Sequence, residues 1–215
     1  MKQSLSQKEL LGKATRRYAE NISLADDYLK SRGITREVAR LARFGVVGEP
    51  EVGHEAFVGR LSIPYITKTG VVDLRFRSLN PAVEPKYMGM TGAETKMYNV
   101  LDIEKAGDWI AVCEGELDTI IASAILGVPA VGVPGVQAWK AHFNRMFTGY
   151  GRVYVIGDND LKDDGTNPGA EFSRMVAQEI GNATIVSLPA GMDLNDLYLA
   201  KGIEETKRTI GVPNV

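Results

Sequence analysis

The amino-acid sequence predicts an α/β protein with a mainly parallel sheet flanked by helices, preceded by a basic α+β subdomain. The main observation is that short apolar runs alternate with amphipathic segments throughout the second half of the chain. This alternation is typical of βαβ units with right-handed crossovers. The predicted strands lie at about 109–113, 129–133, 152–157 and 183–188, and the predicted helices at about 117–126, 136–147, 169–180 and 194–201. A domain boundary is expected near residues 100–108, which divides the chain into 1–105 and 106–215.

The first half begins with helical segments and continues with strands. Ser23 precedes a predicted helix that ends at Gly33, and Thr35 precedes a second helix that ends at Gly45. Serine and threonine are preferred N-caps, and glycine commonly follows the last helical residue. The predicted strands lie at 56–66 and 71–79, with a turn at 68–70 between them and a loop rich in Pro, Gly and Lys at 81–95.

The second of these strands alternates between apolar and polar residues. Because successive side chains of a strand point to opposite faces, the alternation predicts one buried and one polar face. The buried face is expected to carry Val72, Leu74 and Phe76, and the polar face Asp73, Arg75 and Arg77.

The composition limits the class of protein. The chain has 215 residues, of which 44% are hydrophobic and 24% charged, as in an ordinary globular protein. No apolar run approaches the roughly 20 residues that span a bilayer, and the N-terminus has no apolar signal core. We therefore expect a cytoplasmic protein without a membrane partner. The single cysteine, Cys113, excludes a disulfide framework and a cysteine-based zinc finger.

Charge is distributed unevenly along the chain. Through Gly107 there are 17 Lys and Arg against 13 Asp and Glu, a net charge of +4. From Asp108 onward there are 8 against 14, a net charge of −6. A basic first half suits a polyanion and an acidic second half suits metal ions, with chance scatter of surface charge as the alternative.

The strongest chemical signal is a set of acidic residues that follow the predicted strands of the second half. Carboxyl ends of strands line the ligand crevice of an open α/β sheet, so these side chains are expected to converge. Carboxylate oxygens suit Mg²⁺ or Mn²⁺ acting on phosphates. The alternative is that they cap loops and helices, as Asp193 would do for the last helix. The candidate residues are Glu114, Asp118, Asp158, Asp160 and Asp193.

The spacing of these residues resembles that of the TOPRIM domain, which bacterial-type primases share with type IA and II topoisomerases and some nucleases. The resemblance rests on Glu114-Gly115-x-x-Asp118 followed by Asp158-x-Asp160 and covers about residues 108–202. It implies that Glu114 is the family's conserved glutamate and that Asp158 and Asp160 are metal ligands. Gly169-Ala170 and the acidic turn at Asp193 are similar to the later motifs of primases, although the loop after Asp160 is longer.

Several motifs of the first half resemble the catalytic core of bacterial (DnaG-like) primases. They are Tyr28–Ile34, Phe44-Gly45, Gly59–Pro64, Leu74–Arg77 and Pro85–Tyr87. In that family, residues of this kind belong to a basic subdomain that faces the metal site and holds template and nucleotide. The resemblance implies these roles for Arg60, Arg75, Arg77, Lys86 and Tyr87, to which we add Lys96. From the residues alone, Arg75 and Arg77 could engage phosphates and Tyr87 could stack on a base, whereas the alternative is a pair of solvated edge-strand arginines.

The resemblance implies a primase catalytic core that makes short RNA primers on a single-stranded DNA template from ribonucleoside triphosphates. Mg²⁺ or Mn²⁺ held by Glu114, Asp158 and Asp160 would activate the attacking oxygen and neutralise charge on the leaving group. Glu114 could instead act as a general acid or base. Asp118 is included among the catalytic candidates and Asp193 among the metal ligands.

Two other functions stay open from the sequence. A metal-dependent TOPRIM-class nuclease would use the same carboxylates without needing the basic first half. A non-catalytic, single-stranded-DNA-binding replisome adaptor would need no intact acidic motif. Gly132–Gly135 resembles phage primase-helicases, so a phage-encoded core is expected. Because Cys113, His54 and His142 are too few for a zinc site, a separate zinc-module protein or a replicative helicase is the expected partner.

Overall fold

Two separate four-stranded sheets, one antiparallel and one parallel, organise the computed structural model of the protein, which describes residues 4–213. The antiparallel sheet belongs to a unit that ends at Glu94, and the parallel sheet to a unit that begins at Thr95. The sequence-based boundary between residues 105 and 106 lies later than this division. The structure differs because Tyr98 forms a β-bridge with Gly132, inside the parallel unit. The functions assigned to 1–105 and 106–215 stay predictions.

In the first unit, three helices precede the strands of the antiparallel sheet along the chain, and the first of these helices packs against the sheet. Its four strands have the same order in space as along the chain, and each pairs with the next in antiparallel orientation. The core of this unit includes Tyr18, Phe57, Leu74 and Phe76. The helices are α1 (Leu5–Ala19), α2 (Asp26–Ser31) and α3 (Arg36–Leu41), and the strands are β1 (Gly45–Val46), β2 (Leu61–Thr67), β3 (Gly70–Arg77) and β4 (Tyr87–Gly89).

Helix boundaries in the first unit follow the predicted caps only in part. Thr35 caps α3 as predicted, since its side chain accepts a hydrogen bond from the Val38 N–H. Ser23 is not a cap, because it lies inside a 3₁₀ turn that precedes α2. Gly45 does not end a helix but begins β1, where a Cβ would overlap the backbone of Tyr18. Glycine is required there by close packing rather than as a helix stop.

The strands of this unit differ from the prediction in two places. The segment predicted as a loop contains β4, whose backbone pairs with β3. The pairing of β3 with β2 skips Val72, and such a bulge changes which residues face the core. As a result Val71, rather than Val72, packs with Leu74 and Phe76.

The second unit is the predicted βαβ series around a fully parallel sheet. In space, the second strand of this unit lies at one edge of the sheet, followed by the first, the third and the fourth, and helical segments lie between the strands along the chain. Within residues 4–213, no helix is long and apolar enough to cross a membrane. The strands are β5 (Trp109–Glu114), β6 (Ala130–Val133), β7 (Arg152–Ile156) and β8 (Ala183–Val186), and the helices are α4 (Asp102–Lys105), α5 (Glu116–Ile120), α6 (Pro168–Ile180) and α7 (Leu194–Ile210).

The helix predicted over 136–147 is the main difference in the second unit. It consists of two short 3₁₀ segments, Val136–Ala138 and Ala141–Phe147, with extended backbone at Trp139 between them. Trp139 packs in the core of the second unit and stacks on Phe147 at 5.9 Å between ring centroids. Burial of this large ring therefore prevails over the local tendency to form one regular helix.

Candidate functional site

The strand order brings the carboxyl ends of β5 and β7 together where the chain changes direction across the sheet. From β5 the chain passes to β6 on one side, and it then returns to β7 and β8 on the other side. In open α/β sheets, ligands bind outside the strand ends at such a switch point. Glu114 is the last residue of β5 and Asp158 follows the end of β7, so both border this crevice.

Glu114 and Asp158 are joined by a hydrogen bond across the crevice. The backbone N–H of Asp158 donates to Oε2 of Glu114 over 3.3 Å. Burial raises the pKa of Glu114, and the charge of Asp193 adds to this effect. The Asp158 N–H and the charge of Lys162 oppose the rise in pKa. The structure thus brings together the two residues that the sequence places at successive strand ends.

Asp118 lies four residues after Glu114, in α5, and its carboxyl group is buried among other acidic residues. Its pKa is raised well above the ordinary value, first by burial and then by the charges of Asp193, Asp158 and Glu114. The backbone N–H of Asn195 donates to Oδ1 of Asp118 over 3.1 Å, which connects α5 to the first turn of α7. We call Glu114, Asp118, Asp158 and Asp193 the carboxylate cluster.

Asp193 has a structural role in addition to its place in the carboxylate cluster. It is the N-cap of α7, and its Oδ1 accepts a hydrogen bond from the Asp196 N–H over 2.6 Å. The capping role was the alternative interpretation of this residue, and the structure shows it. The assignment of Asp193 as a metal ligand stays a prediction.

Asp160 lies on the loop between β7 and α6. Its side chain is 56% exposed and forms an ion pair with Lys162. Asp164, on the same loop, accepts two hydrogen bonds from Thr166 and stabilises a turn rather than joining the cluster. The role of Asp160 as a catalytic residue and metal ligand stays a prediction.

Lys162 is a residue that the sequence analysis did not identify. Its pKa is raised first by the hydrogen bond to Asp160 and then by the charges of Asp160, Asp158 and Glu114. Its charge therefore acts on the carboxylate cluster. The unusual length of the loop was the sequence signal that could have drawn attention to it.

The donor set of this site fits a hard divalent cation. Every candidate ligand is a carboxylate, and Mg²⁺ and Mn²⁺ prefer oxygen. Among residues 4–213, no three His, Cys, Asp or Glu side chains form a ready-made cage for a metal. Mg²⁺ is commonly held by one or two carboxylates, with water and substrate phosphates completing its shell. The carboxylate cluster suits such a shared site better than an all-protein one.

Two glycines position α6 against the end of β7. A Cβ on Gly157 would lie 2.5 Å from the carbonyl oxygen of Gly169, and one on Gly169 would lie 2.7 Å from the Asp158 nitrogen. Only glycine permits this approach without displacement. A cavity of about 190 Å³ lies beside this junction of β7 and α6. Its lining includes Asp158, Asn159, Ser173 and Arg174.

In the first unit, arginines and tyrosines form a second group of candidate residues. The guanidinium of Arg77 lies 4.8 Å from the ring centroid of Tyr87 and 5.4 Å from that of Tyr28, and it donates a hydrogen bond to the Tyr87 hydroxyl. Arg75 lies 4.9 Å from the same Tyr87 ring. These distances are typical of cation–π contacts. We call Tyr28, Arg75, Arg77 and Tyr87 the arginine–tyrosine cluster.

Arg77 is not the solvated edge-strand arginine of the alternative interpretation. β3 lies between β2 and β4, and Arg77 is only 6% exposed. The Nε of Arg77 is buried without a hydrogen-bond partner in the described part of the chain. Tyr28 was part of a quoted sequence motif, but its contact with Arg77 was not predicted.

The remaining basic candidates occupy different environments. Arg60 is 8% exposed and donates a hydrogen bond to the Pro85 carbonyl over 2.8 Å, so it supports the segment before β4. Lys86 is exposed, and its N–H donates to the Glu84 carboxylate over 2.9 Å. Lys96 lies half-buried at the start of the second unit. Their roles in binding nucleic acid or nucleotide stay predictions.

Comparison with known proteins identifies one relative in sequence and several in fold. No protein family model matches the chain. The Gene 57 protein of Mycobacterium phage D29 is 38% identical over 149 residues, which cover 67% of this chain and 93% of that protein.

Two solved structures illustrate the likeness in fold. The Aquifex aeolicus primase structure, which contains zinc-binding and RNA polymerase domains, matches 98% of this chain with a TM-score of 0.77 and 20% identity. This chain spans 62% of the length of that one. A DnaG primase catalytic domain bound to single-stranded DNA matches 96% of this chain and 79% of its own, with a TM-score of 0.76 and 18% identity. The predicted fold, a parallel sheet flanked by helices with an α+β N-terminal part, is confirmed.

Proposed function

We propose a DNA primase function for this chain, which belongs to the same family as the Gene 57 protein of Mycobacterium phage D29 and has the fold of the DnaG primase catalytic core. The observation that carries the proposal is the carboxylate cluster at the switch point between β5 and β7. The proposed reaction is the synthesis of short RNA primers on single-stranded DNA. In each step the primer 3′-hydroxyl attacks the α-phosphorus of a nucleoside triphosphate, and the bond to pyrophosphate breaks.

Divalent metal ions are part of this proposal. Asp158 and Glu114 would hold Mg²⁺ or Mn²⁺, with Asp160 and Asp193 as further candidate ligands. A bound ion would lower the barrier by stabilising negative charge on the attacking and leaving oxygens. Because the carboxylates of the cluster repel one another, a cation among them would relieve that repulsion.

The protein's own groups orient the site and handle a proton. The Asp158 N–H donates to the Glu114 carboxylate and so fixes the distance between the two strand ends. Burial raises the pKa of Glu114, so this side chain is suited to accept the proton that leaves the 3′-hydroxyl if it is not a metal ligand. Oδ1 of Asp118 accepts a hydrogen bond from the Asn195 N–H, and this bond holds the start of α7 near α5.

We further propose that the arginine–tyrosine cluster binds the phosphates of the nucleic acid or the nucleotide. The buried, unpartnered Nε of Arg77 supports this proposal, because a donor of this kind gains a hydrogen bond when a phosphate oxygen arrives. Tyr28 and Tyr87 hold the Arg77 guanidinium between them through cation–π contacts. Replacing Arg75 and Arg77 together by alanine should weaken single-stranded DNA binding and reduce the dependence of its affinity on salt.

The biological setting is part of the same proposal. A phage relative supports a phage origin for this chain. Primer synthesis takes place where templates and ribonucleoside triphosphates are available, so we propose a cytoplasmic location. The proposed partners are single-stranded DNA, ribonucleoside triphosphates, and a separate zinc-module protein or replicative helicase.

One assay distinguishes the primase from its alternatives. The protein is incubated with single-stranded DNA, labelled ribonucleotides and Mn²⁺ or Mg²⁺. Short RNA products support a primase, shortened DNA indicates a nuclease, and DNA binding alone indicates an adaptor. Asp158→Asn should abolish RNA synthesis without abolishing DNA binding. The matched control is Asp164→Asn, because Asp164 is an exposed acid of the same loop that contacts Thr166 and not the carboxylate cluster.

A further inference from the structure

Asn159, the residue between the two aspartates of the Asp-x-Asp motif, joins three segments around the carboxylate cluster. Its Nδ2 donates to the Leu188 carbonyl over 2.7 Å, and its Oδ1 accepts from Asn167 Nδ2 over 2.8 Å. Its backbone N–H donates to the Met192 carbonyl over 3.0 Å, and its carbonyl accepts from the Gly191 N–H over 2.6 Å. Asn159 thus connects the end of β7 with the start of α6 and with the segment that leads to α7.

The chemistry of the two amides fixes their orientation. The Leu188 carbonyl can only accept, so the NH₂ group of Asn159 must face it and its oxygen must face Asn167. Asn167 must therefore donate through its own NH₂ group, which leaves its oxygen to accept the Ala170 N–H at 3.0 Å. Asn167 is the N-cap of α6. A continuous chain of three hydrogen bonds therefore runs from Leu188 through both asparagines to the first turn of α6.

This chain of hydrogen bonds lies beside two members of the carboxylate cluster. Asp158 immediately precedes Asn159, and Asp193 immediately follows Met192, whose backbone pairs with Asn159. The charges of Asp158 and Asp193 both raise the pKa of Asp118, so both carboxylates lie near Asp118. The asparagine pair also joins the ends of the loop that carries Asp160 and Lys162.

We propose that Asn159 and Asn167 form a clasp that sets the separation of Asp158 and Asp193 for cation binding. The inference rests on the proposed metal-dependent function and assigns Asn159 as a positioning residue, since it acts through the neighbouring carboxylates. Residues that orient metal ligands typically account for 10- to 100-fold in metal affinity. Loss of the clasp should therefore weaken cation binding more than it weakens the fold.

Two variants break the clasp in different ways. Asn159→Ala removes both side-chain hydrogen bonds. Asn167→Asp removes the NH₂ group that donates a hydrogen bond to Oδ1 of Asn159. It keeps an oxygen to cap α6, and aspartate is as good an N-cap as asparagine. Asn167→Asp also adds a negative charge near the site, which by electrostatics alone would strengthen cation binding. A lower cation affinity of Asn167→Asp would therefore mean that the metal-binding carboxylates are no longer held at the correct separation.

The matched control is Asn182→Ala. The Asn182 Nδ2 donates to the Tyr150 carbonyl over 2.6 Å, so the control also removes one asparagine–carbonyl bond. Asn182 immediately precedes β8, at the amino end of the sheet, away from the strand ends that carry the carboxylates. It therefore reports the structural cost of such a bond without a contribution from the clasp.

The experiment measures Mn²⁺ binding to the full chain by electron paramagnetic resonance of the free ion, together with thermal melting of the metal-free protein. We expect about 10-fold weaker Mn²⁺ binding for Asn159→Ala and Asn167→Asp, with wild-type affinity for Asn182→Ala. The melting temperature of Asn167→Asp should stay near that of the wild type. Unchanged or tighter binding by Asn167→Asp would overturn the clasp while leaving the primase proposal in place. A wild-type protein that binds no Mn²⁺ would overturn the metal-dependent function and the clasp with it.

Discussion

At the scale of single residues, the surroundings of Asp118 determine its chemistry. Burial and three neighbouring carboxylates raise its pKa, so the folded protein disfavours its charged form. At neutral pH this repulsion opposes folding of the metal-free protein. Such a cost is typical of functional sites, where charge is concentrated for binding rather than for stability.

Asp118→Asn should therefore stabilise the metal-free protein. The amide oxygen can still accept the Asn195 N–H, while the NH₂ group can donate to neighbouring carboxylates. We expect the free energy of unfolding of the metal-free protein to increase by about 1 kcal/mol. For a chain of this size, this corresponds to an increase of roughly 2–4 °C in the melting temperature. Stabilisation by Mn²⁺ should decrease in the same variant. Thermal melts with and without Mn²⁺ measure both effects.

The control for this variant is Asp164→Asn. Hydrogen bonds from Thr166 lower the pKa of Asp164, so neutralising this residue should not stabilise the protein. A metal-free Asp118→Asn protein that melts below the wild type would contradict this account, because it would show that the negative charge of Asp118 stabilises the fold.

His54 gives the first unit a dependence on pH. Its Nδ1 lies 2.7 Å from the Tyr18 hydroxyl, which accepts a hydrogen bond from the Glu51 N–H. The Tyr18 hydroxyl and Nδ1 of His54 therefore share a buried hydrogen bond, and the tautomer of the imidazole determines which of the two donates. Burial lowers the pKa of His54, against the opposing charges of Glu51 and Glu55.

A histidine whose pKa is lowered by folding stabilises the protein above its unfolded pKa of about 6.5. This stability is lost as the pH falls from that value through the lower folded pKa, because the unfolded chain binds the proton more readily. His54→Gln retains an acceptor for Tyr18 but does not titrate. Urea unfolding should show that the free energy of unfolding falls less between pH 7.5 and pH 5 for the variant than for the wild type. An equal decrease in both proteins would show that His54 does not cause this pH dependence.

Residue-level reasoning from the sequence identified the carboxylates better than their surroundings. Glu114, Asp118 and Asp158 were predicted from strand ends, and the structure brings them together. Lys162 and Asn159 were missed because their contacts depend on the path of a long loop. A residue's role as a positioning group is set by partners that are distant in sequence, and local patterns do not reveal these partners.

At the scale of elements, the junction between β7 and α6 determines where Asp158 lies. Gly157 and Gly169 permit the start of α6 to contact the end of the strand. The Asn167 side chain caps the helix at the same place. The site therefore depends on backbone packing as well as on acidic side chains.

Gly169→Ala should displace α6 from Asp158. The added Cβ would overlap the Asp158 carbonyl oxygen, and overpacking of this kind typically costs about 1–3 kcal/mol. Urea unfolding measures the loss of stability. In the control, Gly107→Ala, the added Cβ would meet nothing within 4 Å, so stability should be nearly unchanged. Equal stability of the two variants would show that α6 does not rest against Asp158.

The elements themselves were partly predictable. All four parallel strands were predicted, because each is a short apolar run bounded by turn residues. The helix over 136–147 was not correctly predicted, since burial of Trp139 imposes extended backbone in its middle. β4 was missed because its three residues carry no periodic signal and depend on pairing with β3.

At the scale of the whole molecule, charge and composition determine how well the proposed primase could select its template. The first 107 residues have a net charge of only +4, which predicts weak binding of single-stranded DNA with little sequence preference. The chain contains one cysteine and two histidines, fewer than the four ligands of a structural zinc site. His54 already binds Tyr18, and Cys113 is buried.

We therefore expect slow and poorly selective priming by these 215 residues alone. A zinc-module protein or helicase that holds the template should increase initiation by raising the effective template concentration. Primer yield on templates with scrambled start sequences measures the selectivity. Efficient synthesis restricted to one short start motif would place template selection within this chain.

The central claim, template-directed nucleotide transfer at the carboxylate cluster, is tested most directly by extension of an RNA primer annealed to a DNA template. Such a primer removes the need for initiation. With Mn²⁺ and labelled ATP, the wild type and Asp164→Asn should add adenosine opposite thymine and not opposite cytosine. Asp158→Asn should add none while keeping the wild-type circular dichroism spectrum. Addition that ignores the template base, or wild-type addition by Asp158→Asn, would contradict the account.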